Sequence, residues 1–181
     1  MDPSGLEPTW WQKIVNWAFG PSNSTPASGR STCPVPACGP DGYRDPTPAE
    51  GAGILAAAKS YDGTPYKWGG SNGNGLDRSG LVMCAIRGSV SPNFPIDPRL
   101  NTGGLSKNPG FRHLNTGEPL YPGDILLFPG HMGLYDPDPS GWDTYSARGD
   151  KNRSTPGVTR GKQKMFGTVQ GIFRVKIPCP K

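Results

Sequence analysis

Apolar positions in this chain come in short bursts separated by polar stretches rich in glycine and proline, and two of the bursts repeat at a helical interval. Thr47 and Pro48, followed by Ile54, Leu55 and alanines to Ala58, predict a helix over 48–60, with Thr47 as N-cap and Pro48 in the first turn. Glycines at 63, 69, 70, 73, 75 and 80 then mark a loop, after which Leu81, Val82, Ala85 and Ile86 predict a second helix from Ser79 to about Arg87, closed by Gly88 and Pro92. The remaining bursts have strand length. Ile125–Phe128 follows a Pro122-Gly123-Asp124 turn, and His131 opens a strand after Pro129-Gly130. A third strand is expected over 142–147 and a last one over 168–177. Residues 91–120 show little periodicity, and residues 149–165 read as a basic loop.

The first part of the chain follows a different pattern. Trp10, Trp11, Ile14, Val15, Trp17 and Phe19 predict a short amphipathic helix that packs on the domain. Residues 20–47 are rich in Pro, Ser, Thr and Gly and read as a linker. The expected organisation is therefore 1–19, a helical extension; 20–47, a linker; and 48–181, the folded domain.

Composition narrows the function classes. A chain of 181 residues suits one domain, and Gly 27 with Pro 22 makes it loop-rich. A formal charge of +5 admits an anionic partner. No basic run exceeds two residues, so a nucleic-acid stripe is not expected. The apolar runs are too short for stable membrane insertion, and residues 1–8 show no signal-peptide pattern. The four cysteines are Cys33, Cys38, Cys84 and Cys179. A disulfide among Cys33, Cys38 and Cys179 would leave an odd thiol. With only His113 and His131 and no C-x-x-C pair, neither a metal site nor another cofactor is expected.

A glycine loop that runs into a helix delivers a residue to the helix N-terminus, where unpaired N–H groups favour an anion or thiolate. Gly63-Thr-Pro-Tyr66-Lys-Trp68-Gly-Gly70, followed by Asp77-Arg78-Ser79-Gly80, resembles the loop and helix start of the NlpC-type cysteine peptidases, which cut bacterial cell-wall peptides. Their pattern is G-x-P-Y-x-W-G-G and then D-C-S-G. Tyr121-Pro-Gly-Asp-Ile-Leu-Leu-Phe-Pro-Gly-His131-Met-Gly-Leu-Tyr135 is similar to their P-G-D-L-x-x-F and G-H-x-G-I-Y blocks. The resemblance implies a papain-like α+β fold, in which a nucleophile helix packs on an antiparallel sheet. It implies His131 as catalytic base, Ser146 as the third polar residue that orients it, and Tyr66, Asp77 and Ser79 on the substrate side. It also implies hydrolysis of amide bonds in peptidoglycan stem peptides.

The nucleophile position departs from this pattern, because Arg78 stands where the family carries cysteine. A guanidinium stays protonated and has no lone pair with which to attack. Cys84 cannot substitute, since six helical residues carry it about 9 Å along the axis and about 240° around it. We read Arg78 as an inactivating change in a gene whose active product harms its producer, rather than as a natural loss. Asp2-Pro3-Ser4-Gly5-Leu6 adds context, being similar to the D-P-x-G-L signature that closes the core of Rhs-type polymorphic toxins. That resemblance implies an antibacterial effector delivered into a neighbour's periplasm, with an Rhs shell, secretion machinery and a cognate immunity protein as partners. Two other readings stay open: a papain-like deamidase or acyltransferase toxin, and a non-catalytic module that binds wall or partner.

Overall fold

A computed structural model describes residues 36–91, 94, 103–149 and 156–180. The Asp2–Leu6 motif, the helix expected over 9–19 and the linker from 20 to 35 lie outside the described residues.

Strand β1, Tyr43–Arg44, leads into helix α1, Pro48–Lys59. The helix starts where the sequence predicts: the Thr47 side chain accepts from the Glu50 backbone N–H at 3.2 Å, and the Glu50 carboxylate accepts from the Thr47 N–H at 2.8 Å. This reciprocal capping box satisfies two donors that the helix itself leaves unpaired. The glycine loop folds into a small hairpin, β2 (Ser71–Asn72) against β3 (Gly75–Leu76), and helix α2 follows at Arg78–Ser89. The expected stop at Gly88 is not used, because the helix runs through it and is capped at Val90, whose N–H donates to Ile86.

A six-stranded antiparallel sheet completes the domain. Its strands are β4 (Phe111–His113), β5 (Ile125–Phe128), β6 (His131–Tyr135), β7 (Thr144–Arg148), β8 (Gly157–Gly161) and β9 (Gly171–Val175), in the order β4-β9-β5-β6-β7-β8. After Lys176 the chain leaves this sheet, and β10 (Ile177–Pro178) pairs with β1. The architecture is the α+β arrangement expected, two helices on one face of an antiparallel sheet. Side chains alternate faces along each strand. Ile125, Leu127, Met132, Leu134, Tyr145, Ala147 and Val158 therefore meet Ile54, Leu55, Leu81, Val82 and Ile86 in one core. Each fully buried aliphatic side chain there contributes about 1.5–3 kcal/mol.

Glycine sets the closest contact between α1 and the sheet. A Cβ on Gly51 would lie 2.4 Å from the Pro122 carbonyl, and Gly123 opposite has φ +83 with its own Cβ direction 2.5 Å from the Gly51 carbonyl. Neither position admits a side chain while the helix stays on this turn.

Three expectations need correction. Residues 36–47 are the start of the domain and not the end of a linker. β1 pairs with β10, and Cys38 is bonded to Cys179. The expected basic loop at 149–165 contains β8, whose Gly-Val-Thr-Arg-Gly sequence offers one apolar residue, and which is held by register pairing with β7 from Thr144↔Gly161 to Arg148↔Gly157. The stretch 91–120 likewise contains β4, where Phe111 packs into the core beside Phe94. Single-residue burial leaves no period to detect in either place.

Candidate active site

Asp77 builds the start of α2. Its Oδ1 accepts from the Gly80 N–H at 2.7 Å and from the Ser79 hydroxyl at 2.9 Å, and its Oδ2 accepts from the Gly69 N–H at 3.0 Å. One carboxylate thus caps the helix and ties the glycine loop to it. Gly80 lets loop and helix touch, since a Cβ there would lie 2.0 Å from the Gly70 carbonyl. The residues expected on the substrate side are therefore engaged within the protein at Asp77 and Ser79. Trp68 stands 81 % exposed at the tip of the same loop.

Arg78 is the first residue of α2 and reaches across to the sheet. Its Nε donates to Nδ1 of His131 at 2.9 Å, and its guanidinium carbon lies 5.7 Å from the centre of the Tyr66 ring. A guanidinium only donates, so Nδ1 acts as acceptor and the imidazole in this contact is neutral, with its proton on Nε2. Nδ1 is therefore the ring atom aimed at the start of α2. The structure brings Arg78, His131 and Tyr66 together.

Ser146 lies one strand away on β7. It is fully buried and shares the outer sheet face with Gly133, whose Cβ direction passes 3.1 Å from the Ser146 Cβ. Its hydroxyl has no hydrogen-bond partner among the described residues. Ser146 is thus near the histidine strand but is not bonded to the imidazole, contrary to the orienting contact expected of it. Phe166 holds the ring instead. It stacks on His131 with centroids 4.1 Å apart and planes 14° apart, while the Arg148 guanidinium lies 5.1 Å from the centre of the Phe166 ring. Phe128, opposite His131 in the β5–β6 register, closes the set at 5.3 Å from Phe166. Sequence reasoning missed Phe166 because an isolated aromatic after a polar stretch carries no periodic signal.

The other motif residues have structural work. Asp124 of the Pro-Gly-Asp turn forms a two-pronged pair with Arg174, at 2.9 and 2.7 Å, with side chains only 3 % and 4 % exposed. Arg174 also lies 3.8 Å from the Tyr121 ring centre and donates to the Pro119 carbonyl at 2.7 Å. Cys84 donates to the Ser71 carbonyl at 3.3 Å, and burial pushes its thiol pKa up. His113 packs edge-on against Phe173 at the far side of the sheet. Among the described residues no three or more His, Cys, Asp or Glu side chains gather where they could hold a metal, and no helix is long and apolar enough to cross a membrane.

Comparison with known proteins places this geometry. The NlpC/P60 family matches residues 63–172, more than half of the chain. Dipeptidyl-peptidase 6 of Lysinibacillus sphaericus is 37% identical over 82 residues, which is 45% of this chain but only 28% of that protein. The crystal structure of the NlpC/p60 domain of the peptidoglycan hydrolase SagA superposes with a TM-score of 0.51 at 22% identity, covering 69% of this chain and 97% of that one, a likeness of fold. With the glycine loop, helix start and histidine strand all inside the matched span, the chain belongs to the NlpC/P60 family, a family of cysteine peptidases and peptidoglycan hydrolases.

Proposed function

We propose that this chain is the toxin domain of an Rhs-type antibacterial effector, built to cut amide bonds in peptidoglycan stem peptides, and that Arg78 occupies the position of its nucleophilic cysteine. The observation that carries the reading is the 2.9 Å contact between Arg78 at the first turn of α2 and Nδ1 of His131. A cysteine at that position meets a helix N-terminus that stabilises its thiolate and an imidazole that takes its proton. The thiolate attacks the amide carbonyl carbon, the C–N bond breaks, and the amine leaves with the proton held by His131. Water, deprotonated by the same imidazole, then releases the acid from the thioester. Phe166 keeps the ring plane in register through both steps. The Cys38–Cys179 disulfide supports action outside a reducing cytoplasm, and the Asp2–Leu6 motif supports delivery by an Rhs shell, with a cognate immunity protein protecting the producer.

As written, the chain lacks the nucleophile and does not hydrolyse wall. The test is Arg78→Cys incubated with purified muropeptides, with products read by mass spectrometry. New cleavage products, absent with the parent chain, are the expected result. An inert cysteine form on wall, protein and lipid amides alike would favour a binding module. Toxicity from the cytoplasm equal to that from the periplasm would favour the deamidase or acyltransferase reading.

A further inference from the structure

From the Arg78–His131 contact we infer that the chain in its present form carries a carboxylate-binding site, with Arg78 as the reader of a free peptide C-terminus. The inference rests on the reading that this site takes peptides, but it concerns a ligand that is held rather than cut.

The geometry of the guanidinium carries it. Arg78 spends its Nε on His131, which leaves the paired terminal nitrogens as an end-on fork. Such a fork matches the two oxygens of a carboxylate with parallel hydrogen bonds. Among the described residues no carboxylate of the protein pairs with Arg78. The nearest in sequence, Asp77, gives its oxygens to Gly80, Ser79 and Gly69 instead. The guanidinium is also held in place before any ligand arrives, by His131 at one edge and by the Tyr66 ring, so little side-chain freedom is lost on binding. It is half-buried, which strengthens a charged pair relative to one in open water while leaving an approach from solvent. An amide in place of the carboxylate presents one acceptor oxygen and two donor hydrogens that face the cation, so the site separates acid from amide.

The test uses the full chain and isothermal titration with N-acetyl-D-alanyl-D-alanine, its C-terminal amide, and acetate. The acid is expected to bind at least about tenfold more tightly than the amide, which corresponds to about 1.4 kcal/mol. It should also bind more tightly than acetate, because the peptide adds contacts to the Tyr66 side. Arg78→Gln should bring the acid down to the level of the amide. Equal binding of acid and amide by the parent chain overturns the inference, and so does an Arg78→Gln chain that binds the acid as the parent does. Acetate binding as tightly as the peptide acid reduces the site to an anion contact and overturns the peptide assignment. The acid–amide comparison needs no variant, so it stands if Arg78→Gln fails to fold. The outcome is separable from the hydrolase reading. A cleaving Arg78→Cys form beside a non-discriminating parent sinks only this inference, and a discriminating parent beside an inert cysteine form sinks only the hydrolase.

Discussion

Around β1 and β10, charges are matched. Arg44 forks onto Glu50 at 2.8 and 2.6 Å, Arg112 bridges Asp45 and Glu118, and Lys176 bonds Asp41. Deeper in the same half, Arg174 and Asp124 satisfy each other in the core. At the start of α2 the cation of Arg78 instead meets a neutral imidazole, and the buried Ser146 hydroxyl has no hydrogen-bond partner among the described residues. One region completes its hydrogen bonds within the fold, so changes there should be read in stability. The other leaves donors uncommitted, so changes there should be read in chemistry and binding.

The largest effect expected lies in the second region. In the Arg78→Cys form, His131→Ala should lower muropeptide turnover by about 10²–10⁴-fold, while His113→Ala leaves most of it, as measured by product release over time. Near-normal turnover of the His131→Ala form would remove the distinction. The counterpart in the first region is Asp124→Ala, which strands Arg174 in the core and should cost about 3–5 kcal/mol in urea unfolding. Arg78→Ala, by contrast, should change stability by less than about 1 kcal/mol, because its head is half-exposed and opposes the helix dipole. Equal losses from the two substitutions would break the comparison.

Replacing Cys38 and Cys179 together with serine should cost about 2–5 kcal/mol, and the parent under reducing conditions should match the double variant in the same unfolding assay. The smallest effect is set by pH. The Arg44 guanidinium, helped by the Thr47 backbone and side chain, holds the Glu50 carboxyl at about 2 against an ordinary 4.5. Because the folded value is the lower, this contribution is complete above pH 4.5 and is withdrawn as pH falls towards 2. Solvent screening at this partly exposed pair keeps it on the order of 1 kcal/mol. Unfolding midpoints at pH 5 and pH 2.5 should therefore differ less in Glu50→Gln than in the parent.

The parts of the fold legible in the sequence are those where one residue type serves a local rule. Thr47 caps α1, Pro129-Gly130 turns β5 into β6, and the Asp77 to Gly80 spacing opens α2. Two of the site's residues sit on these elements, Arg78 at the opening of α2 and His131 at the opening of β6, while Tyr66 lies in the glycine loop that precedes them. What was hidden depends on neighbours far along the chain. β8 exists because β7 offers it a ladder, and β1 exists because β10 returns to it. The support of His131 falls to Phe166, thirty-five positions away, whereas the sequence pointed to Ser146, on the right strand and the right face but without the bond. A strand assignment fixes which way a side chain faces, and only packing decides what it touches.

The bond between Cys38 and Cys179 has a mechanical consequence. It spans 141 positions, nearly the entire domain, and closes them into one covalent loop. Tension applied between the chain before Cys38 and the residues after Cys179 then passes through sulfur and bypasses both helices and the sheet. In the reduced state the same pull would unzip the β1–β10 ladder and draw the domain out as a thread. A single oxidation therefore separates a form that can be pulled through a narrow conduit from one that keeps its shape under load.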